Sequence, residues 1–315
     1  MTHRNGRRTH RDASRVATTC NRPKTEYTGL PAVLDAVKSI RAREYSERGR
    51  SRANSRRFST FFYLYGKRPR MKYVRFRDPA GAVRRGELED GTVHFANESY
   101  DFDGDEIDIL PPTEPSKIVC IGRNYADHAD EMGSDLPDRP MLFLKPPNTV
   151  SSHGDTVTVP AGKERIDHEA ELGVVIGEQC RHVPVSDAED VIAGFTCVND
   201  LSNRDDQSEE RNWVRGKAFD GAAPIGPVLA TPDEVPDDAA VRSRVNGELK
   251  QDGTLDQLIF PIPELIAEIT TYQTLEEGDV IATGTPEGVG PLADGDEVEI
   301  EVEGVGTLSH SVRIP

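Results

Sequence analysis

Three acidic residues, Glu169, Glu171 and Asp200, constrain the fold of this chain most, because each one borders an apolar, strand-like run. Successive side chains of a strand alternate between its two faces, so Glu169 and Glu171 are predicted to point the same way. Asp200 ends a second run of this kind, residues 194–200. Carboxylates held side by side repel each other unless a cation lies between them. The chain is therefore predicted to gather three carboxylates around a cation.

A divalent metal is the predicted partner of this trio. Three oxygen ligands with no cysteine beside them suit a hard ion, Mg²⁺ or Mn²⁺, with Ca²⁺ as a further candidate. The alternative is a solvated strand face, since Glu-x-Glu arises by chance in any acidic chain. The apolar residues on either side favour an interior site.

The net charge of −17 conceals two segments of opposite sign. Residues 1–70 contain 18 Lys and Arg against 5 Asp and Glu, which gives +13, and residues 71–315 contain 20 against 50, which gives −30. The acidic segment has few lysines and few aromatic residues, which is typical of proteins that work in concentrated salt, where ions screen the self-repulsion. Such a surface argues against partners made of nucleic acid or anionic membrane.

The composition also predicts three regions. Residues 1–70 are a basic extension: a disordered tail, a targeting segment or sequence outside the native product. Residues 71–112 alternate strand-like runs with turns and predict a small N-terminal β subdomain. Residues 113–315 follow a proline-rich linker and form the predicted main domain. No apolar run approaches the roughly 20 residues of a membrane span, and four cysteines without Cys-x-x-Cys spacing fit a cytoplasmic protein with buried thiols.

Further elements are predicted along the main domain. Ser186 and Glu189 fit the capping box of a helix over residues 186–193. Asn246-Gly247 predicts a hairpin, and Pro263 opens a helix whose apolar face includes Leu265.

Three candidate functional positions lie outside the trio. A polar helix over residues 125–132 places His128 and Glu131 on one face, where the carboxylate can orient the imidazole as a general base, although a solvated ion pair is the alternative. Lys217 lies between a glycine and apolar residues and is a candidate for binding a carboxylate or an oxyanion, with an exposed loop lysine as the alternative. The glycine-rich loop 283–290 lacks a Gly-Lys-Ser/Thr ending, which argues against nucleotide binding, but Thr285 is placed to hold a small carboxylate.

Five segments, in order, resemble the fumarylacetoacetate hydrolase family: residues 121–125, 143–146, 168–173, 216–219 and 283–290. The resemblance covers about residues 117–313. It implies a β-rich α+β fold in which mixed β-sheets roll around a metal site, usually in a homodimer. It further implies that the carboxylate trio binds the metal.

The resemblance also implies roles for individual residues. It implies a catalytic dyad of His128 and Glu131 on a mobile lid helix, with Lys217 beside the substrate carbonyl. The residues that it implies for substrate binding are Arg123, Tyr125, Arg204, Gln207 and Thr285.

The implied reaction is metal-dependent hydrolysis of a carbon–carbon bond in a small 2,4-dioxo acid of the acylpyruvate or fumarylacetoacetate type. Isomerases of 2-hydroxyhepta-2,4-diene-1,7-dioate, decarboxylases of oxaloacetate-like acids and hydratases share the enolate chemistry, so these alternatives stay open. A non-catalytic binding protein on the same fold is a further alternative, which the intact acids, His128 and Lys217 argue against. Nucleic-acid binding by the basic extension is disfavoured because its charges have no interleaved aromatic platform before residues 61–63.

The first convincing strand begins at Met71, so we expect the native product to start there. Intact-mass measurement on protein purified from its native host should give a mass without residues 1–70. A mass that includes those residues would contradict this expectation.

Overall fold

Strands dominate the structure, a computed structural model that describes residues 70–126 and 137–315. The predicted basic extension, apart from residue 70, lies outside the described residues. The strands are β1 (Lys72–Arg77), β2 (Val83–Glu89), β3 (Thr92–Phe95), β4 (Glu98–Asp101), β5 (Asp108–Leu110), β6 (Ile118–Gly122), β7 (Met141–Lys145), β8 (Val150–Ser151), β9 (Thr156–Thr158), β10 (Ile166–His168), β11 (Ala170–Ile176), β12 (Ile192–Asn199), β13 (Ser202–Asn203), β14 (Ala223–Ala230), β15 (Ala240–Val245), β16 (Glu248–Thr254), β17 (Val280–Ala282), β18 (Gly290–Pro291), β19 (Glu297–Val302) and β20 (Gly306–Arg313). The α-helices are α1 (Arg204–Glu209), α2 (Val214–Lys217) and α3 (Ile262–Tyr272), and the 3-10 helices are Pro147–Thr149, Val185–Val191, Pro232–Glu234 and Leu255–Gln257.

The strands form three sheets. The largest has twelve strands in the order β4-β3-β2-β1-β14-β12-β11-β17-β6-β7, with β5 on β1 and β8 on β14. It is mixed, because β17 pairs with β6 and β14 with β8 in parallel whereas the other pairs are antiparallel. A five-stranded sheet has the order β16-β15-β19-β20-β9, and a three-stranded sheet has the order β13-β10-β18. This architecture confirms the predicted β-rich fold with mixed sheets.

The N-terminal strands extend the largest sheet. Residues 72 and 73 of β1 pair with residues 230 and 229 of β14, so the strands of residues 71–112 continue a sheet that the main region begins. Phe76 is fully buried and packs its ring against Phe95 and Tyr100. The predicted domain division after residue 112 stays a prediction.

Strands β11 and β12 form the centre of the largest sheet. Every residue of β11 is buried, because both faces of this strand are covered. Leu172 and Val174 pack into the larger hydrophobic cluster together with Ile300 of β19, whereas Val175 packs into a smaller cluster with Val198. Because the two strands are antiparallel, the N-terminal end of β11 and the C-terminal end of β12 lie side by side in the interior.

The structure confirms two local predictions and contradicts a third. The Asn246-Gly247 hairpin is confirmed, with both residues at positive φ between β15 and β16. Helix α3 buries Leu265 as predicted. The capping box at Ser186 is wrong: the segment is a 3-10 helix that follows Pro184 without a side-chain cap, and the Ser186 hydroxyl bonds Asp187 instead.

The thiols of the described cysteines match the sequence prediction. Cys120, Cys180 and Cys197 are buried and unpaired. In the part of the chain that the structure describes, no helix has both the length and the apolar character needed to span a membrane.

Candidate metal centre

The predicted trio comes together in the interior. Glu169, Glu171 and Asp200 are buried, and each offers a carboxylate oxygen within 4.8 Å of the other two. Glu169 lies in the break between β10 and β11, where the chain passes from the three-stranded sheet to the largest one, rather than within a strand. Asp200 follows β12, and its backbone N–H donates to the carbonyl of Glu169 at 2.9 Å. Backbone pairing therefore fixes two of the three carboxylates opposite each other.

Burial makes the negative charge of the trio unfavourable, most clearly at Glu171. Burial and the neighbouring Asp200 and Glu169 carboxylates raise the pKa of Glu171 well above its usual value, although the Gly284 N–H donates to its Oε2 at 2.9 Å. Asp200 Oδ1 pairs with the buried Lys145 ammonium at 2.7 Å. A buried carboxyl group whose charge is disfavoured by two carboxylates beside it fits the oxygen-ligand set of a divalent cation.

Two buried lysines supply positive charge to the same place. Lys217, at the end of α2, donates to Glu169 Oε2 and to Asp200 Oδ2, each at 2.7 Å, and lies 5.0 Å from the centre of the Phe143 ring. Burial alone would lower the pKa of Lys217, but Asp200 and Glu169 outweigh burial and raise it. The predicted alternative, an exposed loop lysine, is wrong. Lys145, which the sequence analysis gave no role, donates to the carbonyls of two loop residues at 2.8 and 3.1 Å.

Arg204 opens α1 and connects the trio to its surroundings. Its guanidinium donates to Glu169 Oε1 at 2.6 Å, to Asp167 Oδ2 at 2.8 Å and to Gln207 Oε1 at 2.7 Å. Burial opposes the charge of Arg204, but Glu169 and Asp167 raise its pKa. Arg204 therefore holds Glu169 in place, whereas its predicted contact with substrate stays a prediction.

The trio forms part of the wall of a cavity of about 430 Å³. The cavity is lined by Ile121, Gly122, Arg123, Met141, Phe143, Arg165, Glu169, Glu171, Asp200, Arg204, Gln207, Ser208, Trp213, Lys217 and Thr285. Of the residues predicted to bind substrate, Arg123, Arg204, Gln207 and Thr285 line it. Carboxylates and cations thus meet in one space large enough for a small organic acid.

One predicted site residue does not line this cavity, and two others lie outside the described residues. Tyr125 is buried with 1% of its surface exposed, does not line the cavity, and its hydroxyl has no hydrogen-bond partner among the described residues. His128 and Glu131 lie in residues 127–136, outside the described residues. Their predicted roles stay predictions.

Other contributors were missed because the sequence gives no local signal for them. Asn199 accepts from the Glu169 N–H at 3.0 Å, and its amide lies 2.8 Å from Nε2 of His310, 111 residues away. Burial lowers the pKa of His310 to about 4, so its ring is neutral at pH 7 and Nε2 can accept from the amide. Gln251 contacts Thr285 from the five-stranded sheet. Each of these pairings depends on strands that are distant in sequence.

Comparison with known proteins identifies relatives of this chain. The profile of the fumarylacetoacetate (FAA) hydrolase C-terminal family matches residues 117–313. Oxaloacetate tautomerase YisK of Bacillus subtilis is 45% identical over 215 residues, which are 64% of this chain and 71% of that protein.

Two solved structures carry the same fold. The 5-carboxymethyl-2-hydroxymuconate delta-isomerase of Mycobacterium smegmatis is 37% identical, with a TM-score of 0.70 over 78% of this chain and 99% of that one. The fumarylpyruvate hydrolase of Pseudomonas aeruginosa, in complex with Mn²⁺ and pyruvate, is 30% identical, with a TM-score of 0.61 over 72% of this chain and 98% of that one. The family match spans more than half of the chain, and with it the resemblance predicted from five short segments is confirmed. The chain belongs to the fumarylacetoacetate hydrolase family of enzymes.

Proposed function

We propose that this protein is a divalent-metal-dependent enzyme that generates the enolate of small 2-oxo carboxylic acids, with carbon–carbon hydrolysis of acylpyruvate-type acids as its reaction. One observation carries the proposal: three buried carboxylates lie within 4.8 Å of one another in the wall of a cavity that Lys217 and Arg123 also line. A small anionic ligand and a cation would each find groups of opposite charge there.

Glu169, Glu171 and Asp200 are the residues that would hold Mg²⁺ or Mn²⁺. A divalent cation at such a site acts as a Lewis acid that stabilises negative charge on a ligand oxygen. Mn²⁺ in the Pseudomonas hydrolase, a relative by structure, supports the choice of a divalent ion.

The protein's own residues supply the other parts of the reaction. Lys217 is a fixed ammonium beside the trio, so it can stabilise an oxyanion that develops in the cavity. Arg123 and Thr285 line the cavity and would bind the substrate carboxylate. Hydrolysis needs a base, for which His128, oriented by Glu131, is the candidate.

The bond changes in hydrolysis follow from these roles. His128 takes a proton from water, and the water oxygen forms a bond to the C4 carbonyl carbon of the 2,4-dioxo acid. The C3–C4 bond then breaks, and its electron pair passes to the enolate of pyruvate. Protonation at C3 gives pyruvate, and the remaining fragment leaves as a carboxylic acid.

Keto–enol or double-bond isomerisation is the second candidate. It is favoured by identity, which is 45% to the oxaloacetate tautomerase and 37% to the delta-isomerase but 30% to the hydrolase. Isomerisation needs the same enolate but no attacking water. Both need a base, which takes a proton from water in hydrolysis and from carbon or an enol oxygen in isomerisation, so the two candidates share the described part of the site and differ in the group that is deprotonated.

A substrate panel tests the proposal. With Mg²⁺ or Mn²⁺ present, we expect turnover of acylpyruvates, oxaloacetate or 2-hydroxyhepta-2,4-diene-1,7-dioate, followed by ultraviolet absorbance of the enol. Since losing a group that only supports a metal ligand costs about 10- to 100-fold, Glu171→Gln should lose at least 100-fold in rate. The exposed acid Glu297 offers a matched control, Glu297→Gln, which should keep the full rate. Equal rates for the two variants would contradict the proposal.

Metal binding has a direct readout in stability. A ligand of the folded state at about 100 times its dissociation constant adds about 2.7 kcal/mol to the free energy of unfolding. Mg²⁺ or Mn²⁺ should therefore raise the thermal unfolding temperature, and a chelator should reverse the shift. Glu171→Gln should abolish the shift while Glu297→Gln retains it, and an unshifted unsubstituted protein would count against the metal site.

The variant His128→Ala tests whether His128 is the base of hydrolysis. Because hydrolysis needs a proton acceptor for water, the variant should lose acylpyruvate cleavage by about 100-fold or more, while the metal-induced shift in unfolding temperature stays unchanged. Full hydrolytic activity in this variant would show that His128 is not the base. Loss of the metal-induced shift would show a structural effect instead.

A further inference from the structure

We propose that Gln251 is a positioning residue that makes the Thr285 hydroxyl a hydrogen-bond donor toward the cavity, so that the site selects ligands with an anionic oxygen there. Gln251 belongs to β16 of the five-stranded sheet, and Thr285 follows β17 of the largest sheet. The proposal rests on the proposed function only in assuming that the cavity takes a small carboxylic acid.

Two backbone groups fix the orientation of the Gln251 amide. Its Oε1 accepts from the Ala170 N–H at 2.9 Å, and its Nε2 donates to the Pro286 carbonyl at 2.8 Å. A backbone N–H only donates and a carbonyl only accepts, so the reversed amide would face like groups on both sides. Gln251 is 1% exposed, and no water would compensate for that loss.

His168 strengthens this arrangement. Its Nδ1 lies 3.1 Å from Oε1 of Gln251 and 3.2 Å from the Ser243 hydroxyl. The amide oxygen thus has a second neighbour that can donate to it, and the amide nitrogen is left facing Pro286 and Thr285.

The fixed amide dictates the polarity of the Thr285 hydroxyl. The second hydrogen on Nε2 is donated to Thr285 Oγ1 at 2.7 Å, so this oxygen accepts from Gln251 and its own hydrogen must be used elsewhere. Within the described ranges, Thr285 Oγ1 donates to no residue. Because Thr285 lines the cavity, the cavity is where that hydrogen finds an acceptor.

The neighbouring backbone holds this donor close to the trio. The Gly284 N–H, one residue before Thr285, donates to Glu171 Oε2 at 2.9 Å, and Thr283 donates twice to the Leu172 carbonyl at 3.1 Å. The loop is therefore anchored to the strand that carries a metal-ligand candidate.

This geometry defines the chemistry of the ligand. A hydroxyl that can only donate is complementary to an acceptor such as a carboxylate or enolate oxygen, whereas an N–H or ammonium group there would face it donor to donor. Arg123 and Arg165 line the same cavity and favour the same negative charge.

The test is binding of oxalate by isothermal titration calorimetry, in excess Mg²⁺, to the full chain and to variants. Gln251→Met removes the amide, Thr285→Val removes the hydroxyl, and the double variant removes both. Thr285→Ser keeps the hydroxyl, and Gln179→Met is a matched control because Gln179 is exposed and bonds Glu276 beyond the other end of β11. Thermal unfolding of each variant shows whether it is folded, and Gln251→Leu, which removes the amide without adding a charge, replaces Gln251→Met if the latter does not fold.

We expect Gln251→Met to weaken oxalate binding about tenfold, which corresponds to loss of one well-aligned hydrogen bond to a charged group. In the Thr285→Val background the same substitution should change binding less than about twofold, because the hydroxyl through which it acts is gone. Thr285→Ser should bind as the unsubstituted protein does and stay sensitive to Gln251→Met, and Gln179→Met should have no effect.

Equal weakening in both backgrounds, no weakening in either, or no binding of oxalate by the unsubstituted protein would overturn the proposal. Failure of the proposed function looks different: oxalate would bind with the expected coupling between the two positions, while no 2-oxo acid in the panel is turned over.

Discussion

Repulsion among three buried carboxylates determines which groups must surround them in this structure. Two unit charges 4 Å apart repel by about 4 kcal/mol at the effective dielectric constant of a protein site. Lys217 and Arg204 offset part of this repulsion through direct hydrogen bonds to Glu169, whereas Glu171, among the described residues, accepts a hydrogen bond from one backbone N–H and has a raised pKa. Burying such a cluster costs stability. Proteins retain a costly cluster of this kind where its charge serves a function.

The fold meets this cost with backbone structure that leaves the carboxylates little freedom. Strands β11 and β12 are paired along their whole length, and the pairing ends with Asp200 bonded to the backbone of Glu169. Gly173 permits the close approach, since a Cβ there would lie 2.7 Å from a methyl group of Val198. Where the chain changes sheet at Glu169, His168 of β10 contacts Gln251 of the five-stranded sheet.

How much of this the sequence predicts depends on how local each contact is. The trio was predictable because its apolar neighbours are local signals and antiparallel pairing brings the start of β11 beside the end of β12, although Glu169 lies just before β11 and not within it. Lys217 was predictable as a candidate because it interrupts an apolar context in a lysine-poor region. Its pairing with both Glu169 and Asp200 was not, since it depends on how α2 packs against the strand ends.

The residues that were missed share a different property. Gln251 and His310 reach the site from a second sheet, so their contacts depend on strand order rather than on spacing. The error at Ser186 has a local cause instead. Its hydroxyl bonds the adjacent Asp187 side chain, and the preceding Pro184 is extended, so the segment forms a 3-10 turn without the cap. Short polar side chains compete for local partners in ways that a capping pattern does not reveal.

Anomalous diffraction from a crystal soaked in Mn²⁺ tests the central claim most directly. We expect one strong manganese peak about 2.0–2.4 Å from carboxylate oxygens of Glu169, Glu171 and Asp200. Hard divalent cations lie at distances of this order from their oxygen ligands. No peak at that position, or a peak held by other residues while the three carboxylates stay as far apart as they are now, would contradict it.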